Sequence, residues 1–561
     1  MRSSASRLPA QLDPTDFGQP NAGEQKSIPT RFREEPDIMS VSHRKARNSG
    51  FGRRTSDWML AFWRFASTPG GGLGILVVGL LGSLPLVVHP WYDWSHTDSA
   101  TYIQTARSLL AGEGYSHLGL PFHIRPPGFA LLIAPVIGAF GLDFYVLNFY
   151  VSLLSAAGIA LLFVYLRPHL GWPVAWLTAL AIWLNPFFRK VSNQVMAEAP
   201  GLTFILGALL VDRWSDRSPS WRREIVLGIM IVLACYVRSI ALLLVPAIVL
   251  SRILRQLSGQ AVAPNWRALA LERVALPACV VLLGLLPWSL RNSTVAPSPP
   301  ADQTMAWSYA TGMLNSDVGD PTSRRVGAAE ILKRIPENGL KMAGFLGSRL
   351  HSRILDRRGL LIAGLALLGL LVVAWRRRAP AEFFVIGVLV LLASYYDFRS
   401  RLLLPAFVLL VPATIEWMRT ALQRFTTPRL AGLSCCAAVL LLIVTDFGPR
   451  AGWPAIAQRH HHLQAQCANI EEKLRPDALL ATSFNWHYGV CLNRPVFSLW
   501  FATERDHGRI SASERVIDKY GINTVVLSRV LPSDRPFLKY FVDRYGVELE
   551  AGPIVVVRVR E

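Results

Sequence analysis

The chain has 561 residues, 52% of them hydrophobic, and apolar runs recur from Gly71 to about Phe447, which excludes an ordinary soluble globule. Its formal net charge of +20 would point to nucleic acid in a soluble protein. Here the basic residues punctuate the apolar runs, so no nucleic-acid partner is expected.

Crossing a bilayer takes about 20 apolar residues in a helix whose backbone groups are satisfied internally, so the predicted fold is an all-α polytopic membrane bundle. Residues 1–70 carry Arg31, Arg33, Arg44, Lys45, Arg47, Arg53 and Arg54 among Ser, Pro and Gly. They read as a basic, disordered, cytoplasmic tail, too long for the leading region of a cleavable signal peptide. The first span, 71–88, then leads out to an exterior loop, 89–126, holding "DWSHTDSATYIQTARSLLAGEGY" and "HIRPPG". The apolar stretch 127–141 is short and begins at proline, which reads as a re-entrant or interfacial helix.

Further spans are read at 144–166, 173–188, 199–211, 225–237, 240–250 and 274–288. A second exterior loop, 289–358, separates them from spans at 359–375, 383–396, 402–417 and 430–447, eleven in all. Under this walk Arg252, Arg255, Arg376 to Arg378, Arg419, Arg424 and Arg429 fall on the cytoplasmic side, as the positive-inside rule asks. The expected setting is the plasma (inner) membrane with the N-terminus inside. Residues 448–561 change character: "DALLATSF", "RPVFSLW", "INTVVLSRV" and "GPIVVVRVR" read as short strands alternating with helical "CANIEEKL" and "SASERVIDKYG", a small exterior α/β domain. Cys235, Cys279, Cys435 and Cys436 lie in apolar spans and read as packed hydrophobes. Cys467 and Cys491 lie in the exterior domain, where an oxidising compartment permits a bridge and no paired CxxC zinc spacing is present.

The chemistry-bearing residues cluster at predicted outer ends. Asp98 in "HTDS" is either a functional carboxylate or the cap of a helix starting at Ser99; Asp93 in "YDWS" stands second. Arg238 interrupts an apolar pair of helices, where an ionisable group is costly unless it meets a carboxylate or an anion. Arg125 is an anion ligand or a snorkelling interfacial residue. His123 and Glu198 also fall at the outer face, as proton carrier and as acceptor- or metal-orienting group, or as polar groups at helix ends. No P-loop, dinucleotide-binding glycine fingerprint or HExxH is present.

The ordered set "HTDSATYIQTARSLLAGEGY", "RPPGFALL", "NQVMAEAPGLTF", "YVRSIALLLVPAIVL", "LPWSLRN" and "DFRSRLLLPAF" resembles the integral-membrane GT-C glycosyltransferases, near the protein mannosyltransferase and lipid A aminoarabinose transferase group. The resemblance covers about 71–417. It implies a polyprenyl-phosphate-linked sugar as donor, an acceptor hydroxyl of unspecified kind, Asp98 as general base, and Arg125, Arg238, Arg399 and Arg401 at the carrier phosphate. Tyr102, one turn after Asp98, belongs to the same site, and Arg291 is a weaker match. Arg125 stands where Lys is common in that family. No cofactor is called for, and a divalent cation is left open. The competing classes are a transporter or flippase of a lipid-linked sugar and a non-catalytic anchor for the exterior domain. Inverted repeats, expected of many transporters, are not seen.

Overall fold

The computed structural model describes residues 61, 64–92, 97–260, 263–294, 309–316, 323–350, 357–396, 400–446, 453–483, 487–492, 494–505 and 508–560. The basic tail up to residue 60, Asp93 and Arg399 lie outside the described residues. Helix α1 (Pro69–Val87) starts where Thr68 accepts a hydrogen bond from the Gly71 amide at 2.9 Å, the capping that the first orphan amides of a helix require. Short helix α2 (Thr97–Leu110) and the two-residue strands β1 (Ser116–His117) and β2 (Leu120–Pro121) follow, then α3 (Gly128–Phe140) and α4 (Phe144–Leu170), whose N-terminus Asp143 caps. The bundle continues with α5 (Trp172–Leu184), α6 (Pro186–Ser192), α7 (Glu198–Arg217), α8 (Trp221–Val237) and α9 (Leu244–Leu257). It closes with α10 (Leu276–Thr294), α11 (Ala328–Leu350), α12 (Arg357–Arg377), α13 (Pro380–Ala393), α14 (Leu404–Leu422) and α15 (Pro428–Asp446).

Each of the eleven expected spans overlaps a helix among the described residues. Among the described residues, six helices are long and apolar enough to cross a membrane: Pro69–Val87, Phe144–Leu170, Ser239–Leu257, Trp266–Thr294, Gly359–Arg377 and Ser400–Leu422. Their outward residues are greasy, with Leu86 84% exposed, Leu282 70% and Leu361 65%. Apolar faces of that extent are unstable in water and at home against lipid. The second expected loop, 289–358, is not irregular throughout. It contains α11, whose Met342 and Leu346 are buried in the bundle core. The apolar spacing Ile331, Ile335, Met342, Leu346 is the helical period that marks such a face.

After α15, helix α16 (Trp453–Glu471) leads into a five-stranded sheet. Its elements are β3 (Leu480–Thr482), α17 (His487–Cys491), β4 (Val496–Ser498), α18 (Trp500–Arg505), α19 (Ser513–Tyr520), β5 (Thr524–Ser528), α20 (Arg535–Tyr545), β6 (Leu549–Ala551) and β7 (Ile554–Arg558). The strand order is β4-β3-β5-β7-β6; β3 runs parallel to β4 and β5, and β7 antiparallel to β5 and β6. The sequence had shown four of these strands and missed the three-residue β6. Cys467 and Cys491 form a disulfide with a Cα separation of 6.0 Å, joining α16 to α17.

This unit does not hang free. Ala100, Ile103 and Ala106 of α2 and Phe129 and Ile133 of α3 share one apolar cluster with Ile470, Tyr488, Val490 and Val556, so α2 is held between the bundle and α17. At the other end of α7 and α8, Arg252 is fully buried between Asp212 at 2.7 Å and Glu224 at 2.9 Å. That ion-pair network lies about 20 Å along α7 from Glu198, so the bundle has charged clusters at both ends.

Candidate functional site

Five separate elements deliver one cluster of charge. Asp98 lies in the first turn of α2 and Tyr102 one turn later. Glu198 opens α7 after a turn, 193–197, in which every residue is buried. Asn193 in that turn donates to the Val87 carbonyl at 2.5 Å, which ties the end of α1 to the start of α7. Arg238 follows α8 in extended backbone, φ −151° and ψ 114°, and its carbonyl accepts from Ala241 at 3.0 Å to start a 3-10 turn, Ser239–Leu243. Arg401 sits in a second 3-10 turn, Ser400–Leu403, ahead of α14. A helix interior would point such a side chain sideways into lipid, whereas the break after α8 leaves Arg238 at the helix end.

Two glycines allow this convergence. A Cβ at Gly128 would lie 2.5 Å from the backbone of Tyr236, and one at Gly201 would lie 3.0 Å from the Cβ of Arg238. Only glycine lets the start of α3 press so closely on the end of α8, and at Gly201 a side chain would fit only if Arg238 gave way by a few tenths of an ångström.

The carboxylate of Asp98 is gripped on both oxygens. Arg125 Nη2 lies 2.5 Å from Oδ1 and Arg401 Nη2 lies 2.5 Å from Oδ2. Glu198 Oε1 accepts from Arg238 Nη2 at 2.7 Å and has Arg401 Nε at 3.6 Å, so Arg401 bridges the two acids. Arg238 Nη1 reaches the Tyr102 hydroxyl at 3.5 Å, and the Arg125 guanidinium stands over the Tyr102 ring, 5.3 Å from its centroid. Burial of Asp98 favours its neutral form, but Arg125, Arg401 and Arg238 outweigh it and hold the carboxyl well below the usual range. Arg125 Nη1 and Glu198 Oε2 are buried with no hydrogen-bond partner among the described residues, a costly condition that a bound polar ligand would relieve.

The loop carrying His123 and Arg125 is pinned from outside. Arg291, in the last turn of α10, donates to the Phe122 carbonyl at 2.9 Å and the Tyr115 carbonyl at 2.8 Å. The Tyr115 hydroxyl donates to the Arg125 carbonyl at 3.1 Å. Arg291, the weaker match in the sequence, therefore braces this loop through two backbone carbonyls. Burial and Arg291 lower the pKa of the His123 imidazole, and burial pushes His117 down to about 3.

The cluster borders a cavity of 730 Å³ in which Asp98, Tyr102, His123, Arg125, Arg238 and Arg401 form the polar wall. The other wall is apolar, with Leu242, Leu243, Val245 and Pro246 at the head of α9 and Leu391 of α13. Of the residues expected at the site, Asp98, Tyr102, His123, Arg125, Arg238 and Arg401 line this cavity. Glu198 joins them through Arg238 and Arg401. Sequence reasoning missed Tyr395, which also lines the cavity and whose carbonyl accepts from Asn338 of α11 at 2.6 Å. The helical apolar spacing of α11 was the available signal for that support.

Among the described residues no group of three or more His, Cys, Asp or Glu could hold a metal ion. The two carboxylates fit a cation poorly, since an ion between them would face three guanidiniums.

No protein-family model and no curated protein matches this chain in sequence. Solved structures match in fold. ArnT from Cupriavidus metallidurans bound to undecaprenyl phosphate superposes with a TM-score of 0.56 at 14% identity, over 87% of this chain and 98% of that one. The apo form gives 0.54 at 14% identity, over 90% and 98%. The archaeal oligosaccharyltransferase AglB from Archaeoglobus fulgidus, in complex with an inhibitory peptide and a dolichol-phosphate, gives 0.51 at 12% identity, over 91% and 75%. A helical membrane bundle with an appended α/β unit and these neighbours defines the GT-C fold.

Proposed function

We propose that the protein is a glycosyltransferase that moves a sugar from a polyprenyl-phosphate donor to an acceptor hydroxyl, with the cavity opening at the exterior membrane face. The observation that carries this reading is the composition of the cavity wall: a buried carboxylate, three guanidiniums and an apolar flank at one end of a membrane bundle. The guanidiniums suit a phosphate, Arg offering bidentate geometry. The apolar flank of α9 suits the first isoprene units beyond it. The likeness to folds solved with undecaprenyl phosphate and dolichol-phosphate supports the same ligand class.

Asp98 takes the proton of the acceptor hydroxyl as that oxygen attacks the anomeric carbon. The bond to the phosphate oxygen breaks with its electron pair staying on the phosphate, where Arg125, Arg238 and Arg401 hold the added charge. A single displacement of this kind inverts the anomeric centre. The charges balance at both ends. Three guanidiniums against Asp98 and Glu198 leave one net positive charge, which matches a monoanionic phosphodiester. Once Asp98 carries the proton the site gains a second positive charge, which matches the dianionic product phosphate. Residues 1–70 form the cytoplasmic tail in this reading, 71–447 the transmembrane domain and 448–561 the exterior domain.

The test is transfer itself. Purified protein incubated with a panel of polyprenyl-phosphate sugars and candidate acceptors yields a new glycoside by mass spectrometry, and Asp98→Asn lowers its rate by ~10²–10⁴-fold, the loss typical of removing a general base. Undiminished transfer in Asp98→Asn discards Asp98 as base. Movement of the lipid-linked sugar across vesicles with no new glycoside discards the enzyme reading in favour of a transporter.

A further inference from the structure

A base must be free to accept a proton, yet both oxygens of Asp98 are occupied by guanidiniums at 2.5 Å. Those guanidiniums are the same ones that face the cavity where an anion would sit. With Asp98 side-chain exposure of 7%, water offers little competing solvation, so carboxylate and phosphate must share a fixed set of donors.

We infer that Asp98 is a built-in counter-anion which the donor phosphate displaces from Arg125 and Arg401, so that the carboxylate becomes basic only while the donor is bound. This rests on the glycosyltransferase reading for its purpose, but its physical content is an exchange of ion-pair partners that requires no catalysis. Arg125 Nη1, buried and unpartnered among the described residues, gives the incoming phosphate a first contact before the Asp98 contact is broken. As guanidinium donors move from carboxylate to phosphate, Asp98 loses its stabilising partners and gains an anionic neighbour. Both changes raise its proton affinity. An enzyme without donor then holds no reactive base next to its acceptor site.

Two measurements test the exchange. The first is binding of unmodified polyprenyl phosphate to the full-length protein in nanodiscs. Because Asp98 competes with the ligand for Arg125 and Arg401, Asp98→Asn binds it more tightly, by about tenfold, within the 5–150-fold range of coupling between two ligands. Equal or weaker binding overturns the inference. The second covers the event that the variant does not fold, and uses a polyprenyl methyl phosphodiester, whose own ionisation lies far below the working pH. Calorimetry at pH 5 in buffers of different ionisation enthalpy reads proton uptake on binding.

The ionisable groups around Asp98 are Tyr102, His123, Arg125, Glu198, Arg238, Tyr395 and Arg401. Of these His123 faces the same cavity and Glu198 shares Arg238 and Arg401 with Asp98, so His123→Gln and Glu198→Gln both serve as controls. Uptake that persists in both His123→Gln and Glu198→Gln supports the exchange; uptake absent in either, or absent in wild type, overturns it. Both readouts stand whether or not sugar is transferred, so failure of the proposed reaction is distinguishable from failure of the exchange.

Discussion

Arg238 and Arg401 each stand where a helix has been interrupted by a 3-10 turn, and each meets Glu198. Removing either guanidinium takes a charged hydrogen-bond donor from the anion site without touching a span. Arg238→Ala is expected to weaken polyprenyl-phosphate binding by about 10- to 100-fold, the value of a hydrogen bond to a charged group, and unchanged affinity in a calorimetric titration refutes the assignment. Asp98 has a pH signature of its own. Its folded-state pKa lies well below the ordinary carboxylate value because Arg125, Arg401 and Arg238 outweigh burial. The stability it supplies is therefore fully present above the unfolded pKa of about 3.9 and is lost as pH falls toward the folded value. The melting-temperature gap between wild type and Asp98→Asn should stay level from about pH 8 to pH 5 and narrow below about pH 4. A gap that narrows between pH 8 and pH 6 contradicts the arginine clamp.

Helix α2 owes its position to two neighbours, since its apolar residues pack on α3 and, through the shared cluster with Tyr488 and Val490, on α17. The Cys467–Cys491 bridge secures α17 to α16. Thiol labelling of the denatured, non-reduced protein is expected to leave both cysteines unmodified, and labelling of either before reduction refutes the bridge. On the other side of α2, α3 begins against the backbone of Tyr236, two residues before Arg238, at a distance that leaves no room for a Cβ. Gly128→Ala must push α3 away from α8. The expected outcome is a destabilisation of roughly 1–3 kcal/mol, the usual cost of overpacking, with reduced transfer because Arg125, three residues earlier, shifts with it. A variant that melts and turns over like wild type shows that the contact is dispensable.

At the scale of the whole molecule the charge pattern makes the expected orientation testable. Arg252, Arg255 and the Arg376 to Arg378 run lie toward the end of the bundle away from Asp98, and loops of that composition stay in the cytoplasm. A reporter fused after Gly448 is therefore expected to behave as exported and one fused at Arg376 as cytoplasmic. The reverse pattern would put Asp98 inside and sink the exterior site. The C-terminal α/β unit is more than an appendage in this arrangement, because its residues complete the core under α2.

The sequence alone determined the helical bundle, the order of its apolar segments, the α/β character of the last hundred or so residues, and the residue types brought together in the candidate site. Spans announce themselves because each must satisfy its own backbone in lipid and so runs uninterrupted along the chain. Arg238 was legible for the same reason, as a charge where lipid tolerates none. Only the tertiary structure decided which acid meets which base. Asp98, Arg125 and Arg401 are separated by hundreds of residues in part, and no local periodicity encodes that pairing. It also decided that Arg291 braces the loop through two backbone carbonyls, and that α11 packs into the bundle where composition suggested a loop. Backbone carbonyls are present at every position, so a side chain that will bind them leaves no mark in the sequence. An amphipathic helix buries a face too narrow for its mean composition to reveal, and the partner for that face exists only once the chain has folded.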